Sequence, residues 1–429
     1  MVITMLKHFL TLTYPSFKIK NLKDYLSTSN IIEGFLIAIL LSLFIYLSYF
    51  ELLNEDILKI INSVSAILGF YLLLKADKKT LFWAGFFIGG LWFYWIGFSF
   101  RFYGVSYLIP IMMLFVSFGY GLFFWIIGIF VNPFARALLF LGFSFFHPLG
   151  FNWFIPELTL VNTLFGVYKW QFGLFLLSIS LFIVLKSWQR IFGVLFLVAS
   201  LNFEIGKSLH TSKHKIYLSS TYLSQDIKWE ESYRQESIKN NLDIIKKAIK
   251  QNYDIVVLSE SAFAMFLNLE KQMMDELKEL SKDITIVTGA LYAKDTDAYN
   301  STYYFINGEV KVADKVVLVP FGEEIPLPKF FKKLINDMFF NGAKDYKTAL
   351  FPTDVEIKGE VFRNAICYEA TREELYVGSP KLMIATSNNA WFTPSIQPTL
   401  QKILLKYFSI RYKTVIYHSA NRGGTSVIY

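Results

Sequence analysis

The only cysteine of the chain, Cys367, stands in the run Ala365-Ile366-Cys367-Tyr368-Glu369, downstream of a carboxylate at Glu260 and an amine at Lys315. A thiol, a carboxylate and an amine can together carry acyl transfer through a covalent thioester. Each has its own task in that chemistry. A free thiol is only slightly ionised at neutral pH, so a neighbouring base or positive charge has to generate the thiolate. Glu260 can take the proton. Lys315 can hold the oxyanion of the tetrahedral intermediate, beside a backbone N–H near Cys367 and Tyr368. Each residue also has a plain structural reading. A lone cysteine ending an apolar strand packs as a small hydrophobe; Lys315 alone is a solvated lysine, and Glu260 alone a surface or capping carboxylate. Spacing does not decide between the two.

The elements around these residues must bring them together. Strand-like runs fall at Lys215–Leu223, Tyr253–Leu258, Ile284–Leu291, Thr302–Ile306, Glu309–Ala313, Val355–Ile357, Val361–Cys367, Leu382–Ser387 and Val415–Ser419. Between them lie helical stretches at Glu231–Gln251, Leu267–Leu280 and Gln397–Tyr412. The alternation predicts an α/β sandwich with helices on the outer faces of its sheets. Glu260 and Cys367 then sit where strands stop and loops begin, the usual place for catalytic groups. This half has no Gly-rich phosphate loop and no His-Glu-x-x-His, and His418 is its only histidine near a motif, so a Ser-His-Asp triad lacks its usual base.

The preceding half reads differently. The 429 residues are 54% apolar and 18% aromatic, and the apolar excess is concentrated in residues 31–203. Segments near 31–50, 58–74, 81–100, 106–131, 135–152, 170–185 and 190–203 approach the ~20 apolar residues a membrane helix needs. The expected plan is a cytoplasmic segment 1–30, a transmembrane domain 31–203 of about seven helices, and a globular domain 204–429 large enough for its own core. No cleavable signal peptide is evident in residues 1–30. With the N-terminus inside, Lys7, Lys18, Lys20, Lys23, Lys75, Lys78, Lys79, Arg136, Lys186 and Arg190 fall on the inner side. Lys59, Arg101 and Lys169 fall outside, beside Glu51, Glu55 and Asp56. The positive-inside rule then puts the globular domain outside the cytoplasm, in the periplasm of a Gram-negative cell. The net charge of +8 sits mostly in the N-terminal segment and membrane loops, which argues against nucleic-acid binding. One cysteine permits no intramolecular disulfide and no thiolate zinc cluster. The stretch Phe145–Trp153, with Pro148, Gly150, His147 and Asn152, reads as a helix end in an aromatic belt or as a lipid-entry wall facing the second domain.

Taken together, these segments resemble the nitrilase superfamily and, within it, the apolipoprotein N-acyltransferases of the bacterial inner membrane. Leu258-Ser259-Glu260-Ser261-Ala262 resembles the block that carries the family's base, with Ser259 where proline is usual. Lys315 followed by Leu318-Val319-Pro320-Phe321-Gly322-Glu323 resembles its lysine block, the most specific match. Cys367 with Tyr368 and Glu369 resembles its nucleophile block, and Ser387-Asn388-Asn389-Ala390-Trp391-Phe392 is similar to its "SNDAWF", with Asn389 in place of aspartate. Gln225–Trp229 and Tyr299-Asn300-Ser301 are similar to two further family blocks.

The resemblance implies a membrane domain followed by a nitrilase-like αββα sandwich. Cys367 would take a fatty acyl chain from a phospholipid, and the N-terminal amine of a diacylglyceryl-modified apolipoprotein would then accept it. Glu260 would be the base and Lys315 the oxyanion holder. Glu323 would orient Lys315 or assist proton movement, Glu369 would position the nucleophile strand or form a structural ion pair, and Tyr368 would lie close to the thiol. Trp229 and Trp391 would line a lid or acyl groove or serve as ordinary aromatic packing, with Asn300 on the substrate side. No metal or diffusible cofactor is implied, and a monomer in a lipid bilayer is expected. Two departures stand out: the family usually continues past Tyr429 to a last transmembrane helix, and Thr399 and Gln401 occupy a segment where relatives tend to carry histidine. Two other readings stay open. A membrane-anchored amidase would use the same three residues but needs one anchor rather than seven spans. A scaffold or transporter with an inactive module would leave the intact triad unexplained, and residues 81–131 offer transport only Arg101.

Overall fold

A computed structural model describes residues 27–147, 150–203, 209–320, 323 and 346–429. Most of the 1–30 segment with its four lysines, Pro148, and the Phe321-Gly322 pair of the lysine block lie outside the described residues.

The first half is a set of apolar helices: α1 (Thr28–Phe50), α2 (Glu55–Lys75), α3 (Lys78–Phe93), α4 (Ile109–Gly128), α5 (Pro133–Phe143), α6 (Lys169–Val184) and α7 (Ile191–Ala199). Asn54, Asp77 and Asn132 each cap the helix that follows by accepting backbone N–H bonds, so the breaks between helices are written locally. The first four, with the 3₁₀ turns Tyr94–Tyr103 after α3 and Ser106–Leu108 before α4, are long and apolar enough to cross a membrane. Of the last three, α6 has the length read from the sequence, whereas α5 and α7 are shorter than the apolar runs suggested. Helix α5 has 11 residues, about 16 Å at the α-helical rise against a hydrocarbon core of ~30 Å. Its chain leaves the helix because the following residues dock on the second half. Asn152 Nδ2 donates to the Thr371 carbonyl at 2.5 Å, and Trp153 Nε1 donates to Thr371 Oγ1 at 2.9 Å.

The second half holds two six-stranded sheets. One is ordered β1 (Ile216–Leu218), β3 (Ile255–Val257), β5 (Thr285–Lys294), β6 (Asp297–Ile306), β7 (Glu309–Asp314), with β4 (Phe263–Phe266) on β5. The other is ordered β12 (Ser426–Ile428), β11 (Val415–Asn421), β10 (Leu382–Asn388), β9 (Glu360–Ile366), β8 (Asp354–Ile357), with β2 (Ser220–Thr221) on β11. Strands β1, β3 and β5 are parallel, as are β9, β10 and β11. Side-chain alternation builds the layers. Ile255, Val257, Leu382, Ile384, Val415 and Tyr417 face the gap between the sheets. After the single-turn helix α8 (Gln225–Lys228) come the outer helices α9 (Glu231–Lys250) and α10 (Lys271–Leu280), which Val256 and Leu258 face and where Ile245 and Leu277 are wholly buried. Helix α11 (Gln397–Tyr412) covers the other sheet. The order is helix, sheet, sheet, helix, as expected.

The last of these layers has no separate core. Ile37, Phe70, Trp92 and Phe172 of the helical half belong to one buried cluster with Tyr368, Met383, Leu404 and Ile416 of the sandwich. Polar ties cross the same boundary. Arg101 Nη2 donates to the Thr393 carbonyl at 3.0 Å, Tyr168 Oη to the Ile410 carbonyl at 3.2 Å, and Lys406 Nζ to Asn162 Oδ1 at 2.7 Å. The sandwich therefore meets the end of the helical half where α3 finishes and α6 begins. The opposite end holds the α2–α3 turn, where Arg136 Nη1 donates to the Leu74 carbonyl at 2.9 Å.

Candidate active site

The parallel strands β3, β9 and β10 deliver their last residues to one place. Glu260 follows β3 by a tight turn in which Ser261 takes φ +47°. The turn presses against Gly289 of β5, where an added Cβ would lie 2.4 Å from the Ser261 nitrogen. Cys367 ends β9 with φ +55°, a left-handed conformation that is costly for a side chain bearing Cβ and that turns the strand abruptly at the sulfur. Lys315 follows β7 directly.

The side chains converge. Glu260 Oε1 accepts from Asn300 Nδ2 at 2.9 Å, and Oε2 accepts the backbone N–H of Asn388, at the end of β10, at 2.8 Å. Lys315 is wholly buried, its Nζ 2.7 Å from Glu323 Oε2 and 3.9 Å from Glu260 Oε1. Burial alone would pull a lysine's pKa down. Here Glu323 and Glu260 outweigh burial and hold Lys315 charged, well above the ordinary lysine range. Cys367 stays partly accessible, yet its sulfur lies in low-dielectric surroundings. Burial and then the Glu260 charge push the thiol up to about 12, against the opposing pull of Lys315. At rest Cys367 is therefore a neutral thiol, and any reaction at the sulfur has to remove its proton.

Glu369 is wholly buried and acts as a clamp. Its Oε1 accepts the Ile366 N–H at 2.8 Å, and its Oε2 accepts the N–H groups of Val316 at 2.6 Å and Val317 at 3.0 Å. One carboxyl thus ties the backbone before Cys367 to the backbone after Lys315. Asn300, placed by sequence on the substrate side, is buried and donates to both Glu260 and Glu323, the latter at 3.1 Å. Tyr368 spends its side chain on the helical half. Its ring stacks on Phe151 with centroids 6.4 Å apart, and its hydroxyl donates to the Gly150 carbonyl at 2.9 Å. Gly150, Phe151 and Trp153 thereby face the loop that follows Cys367. Trp391 stacks on Tyr103 at 6.1 Å and meets Phe102 edge-on at 5.4 Å, at the boundary between the two halves. Trp229 is 45% exposed. Asn389, the departure from aspartate, donates to the Gly423 carbonyl at 2.9 Å and accepts from Gln397 at 3.1 Å; a carboxylate could not make the first bond.

Sequence reasoning passed over Lys228, which sits beside Trp229 in a quoted block. Its buried Nζ donates to the Glu260 carbonyl at 2.9 Å, and burial pulls it down to about 8 against the attraction of Glu260 and Cys367. Asn388 Nδ2 also donates to Gln225 at 2.8 Å and its Oδ1 accepts from Asn421 at 2.9 Å, so buried amides fix the strand ends that carry the site.

Residues 28–203 match the family model described as the apolipoprotein N-acyltransferase integral membrane domain. The apolipoprotein N-acyltransferase of Wolinella succinogenes is 42% identical over 91% of this chain and 94% of that protein. That of Campylobacter jejuni is 39% identical over 97% of this chain and 93% of its own length. Among solved structures, a CN-hydrolase superfamily protein from Xanthomonas campestris is similar over 51% of this chain and 80% of that chain, with 16% identity and a TM-score of 0.36.

Proposed function

The chain belongs to the apolipoprotein N-acyltransferase family, and from that premise we propose that it moves a fatty acyl chain from a phospholipid to the N-terminal amine of a diacylglyceryl-modified apolipoprotein through a thioester on Cys367. Glu260 takes the thiol proton as sulfur attacks the ester carbonyl. Lys315 stabilises the oxyanion in a water-poor site, where a fixed charge acts most strongly. Collapse breaks the ester C–O bond, and Glu260 returns the proton to the departing lysophospholipid. In the second step the amine attacks the thioester, Glu260 receives the amine's proton, and the sulfur leaves and is reprotonated. Glu323 and Asn300 hold Lys315 and Glu260 in register, Glu369 and Tyr368 position the nucleophile loop, and Trp391, with Trp229, borders the path of the acyl chain.

The observation that carries this reading is the gathering of Cys367, Glu260 and Lys315 beside a boundary shared with apolar helices. Each buried CH₂ is worth about 0.8 kcal/mol, so a long acyl chain has to reach the sulfur without crossing water. Position in the membrane follows from charge. Lys75, Lys78, Lys79 and Arg136 lie at the end remote from the sandwich, whereas Glu51, Glu55 and Asp56 flank the near end. The positive-inside rule then puts the N-terminal side in the cytoplasm and the sandwich in the periplasm, in a bacterial inner membrane. The described site residues all come from one chain, which supports a monomer as the working unit.

The test is intact-mass analysis of the detergent-purified protein after incubation with phospholipid alone. A hydroxylamine-labile fatty-acyl adduct on Cys367 is expected, absent in Cys367→Ser. In Glu260→Gln its formation should be slowed about a hundredfold, the usual weight of a general base. Intact phospholipid with folded, unmodified wild-type protein would overturn the lipid-donor reading and favour a small-amide hydrolase.

A further inference from the structure

His418, set aside above for want of a triad, is wholly buried on β11, and the mechanism makes no use of it. Its Nδ1 lies 2.9 Å from the carbonyl oxygen of Gly424, and its Nε2 lies 2.8 Å from Ser387 Oγ. A carbonyl can only accept, so Nδ1 carries the ring proton and Nε2 presents a lone pair. Burial pulls the imidazole down to about 4, which keeps it in this neutral form. Gly424 holds φ +96°, a backbone conformation that side chains rarely adopt, and this turn brings its carbonyl to the histidine.

The polarity then propagates. Ser387 has one hydroxyl hydrogen and spends it on Nε2, so its oxygen must accept. The group facing it is Gln401 Nε2, at 3.3 Å. The same nitrogen lies 4.0 Å from Cys367 Sγ, with its second hydrogen available to the sulfur. Gln401 Oε1 is buried without a partner among the described residues. Turning the amide around would place that oxygen against a serine oxygen and a sulfur, both electron-rich. An orphaned buried acceptor is costly, and its retention marks an orientation that is enforced.

We propose that Gln401 is a positioning residue for the nucleophile, its NH₂ group fixed toward Cys367 by the Gly424–His418–Ser387 relay so that the sulfur always meets a hydrogen-bond donor. The donor stabilises negative charge on sulfur as the thiol loses its proton and again when the thioester is broken. It offsets the repulsion of Glu260, while Glu323, Lys315 and Lys228 complete the charged groups that act on or around the sulfur. The inference rests on Cys367 being the nucleophile, not on the identity of the acyl donor.

Because Cys367 is the only cysteine, the rate of its alkylation by iodoacetamide, followed by intact mass from pH 6 to 10, reports on this one sulfur. Full-length protein in detergent is compared with Gln401→Leu, Ser387→Ala and the double variant, each checked for an unchanged melting temperature. Gln401→Leu is expected to slow alkylation about tenfold at a fixed pH, in proportion to a lost bond to a charged group. Ser387→Ala should shift the rate the same way, because the amide is freed to rotate, and the double variant should be no slower than Gln401→Leu. Wild-type rates and an unchanged pH profile in folded Gln401→Leu, or additive losses in the double variant, would overturn the relay. Ser387→Ala removes only a hydroxyl and keeps the test open should Gln401→Leu fold poorly. If phospholipid gives no adduct but Gln401→Leu still slows alkylation, the proposed function fails and the relay stands. The converse pattern sinks the relay alone.

Discussion

In the proposed reaction Glu369 matters without touching substrate. Its three backbone N–H bonds hold the Cys367 and Lys315 loops together. Burial raises this carboxyl to about 7, against the pull of Lys315 and those N–H donors. The native state therefore binds the proton more tightly than the unfolded chain does. The stability linked to this group is complete below the unfolded value of about 4.5 and is lost as pH rises through about 7. Melting temperature measured at pH 5.5 and pH 8 should fall between the two in the wild type, with a smaller fall in Glu369→Gln. The variant should be less stable by about 1–3 kcal/mol at either pH, because an amide NH₂ cannot accept the backbone donors. A pH slope unchanged in Glu369→Gln would remove Glu369 from this account. Cys367, Glu260 and Lys315 were legible as a trio because their blocks are local runs of distinctive residues. Lys228, Gln401 and Ser387 were not, since each acquires its role through a hydrogen bond to a partner remote in sequence. Lys228 reaches the Glu260 carbonyl across 32 positions and Gln401 reaches Cys367 across 34.

At the scale of elements, apolar alternation gave the long strands and the helices Glu231–Lys250 and Gln397–Tyr412 nearly to their ends. It missed β4, four residues long and bound to β5 through an irregular register that a period of two does not mark. It also overestimated the helix beginning at Pro133, because hydropathy does not distinguish a segment that faces lipid from one buried beneath another domain. The turn between β3 and β4 depends on a neighbour that hydropathy cannot reveal. A methyl group at Gly289 would meet the Glu260 Cα at 2.7 Å, so the turn would have to move. Gly289→Ala should cut acyl-adduct formation about a hundredfold, the scale associated with a 1 Å misplacement of a reacting group. Adduct formation at the wild-type rate, measured as above, would show that the placement of this turn is not limiting.

For the whole molecule, the charge difference between the two ends of the helical half makes orientation testable. In a Cys367→Ser background, Lys79→Cys and Tyr222→Cys place single thiols at the start of α3 and on an exposed site of the sandwich, where Tyr222 is 73% exposed. A membrane-impermeant maleimide applied to spheroplasts should label the second and reach the first only after lysis; the reverse pattern would invert the topology. The core shared by the helices and the outer layer of β9–β11 with α11 also bears on how the protein is made. Synthesis runs from the N-terminus, so the helices reach the bilayer before Cys367 leaves the ribosome. On the proposed topology the sheet layers fold in a compartment other than the one in which they were translated, and their last face is completed by helices already inserted. Maturation of the sandwich is thus gated by membrane integration: a chain that fails to insert would expose the apolar side of α11 to quality-control proteases, and no misplaced copy would retain a finished active site.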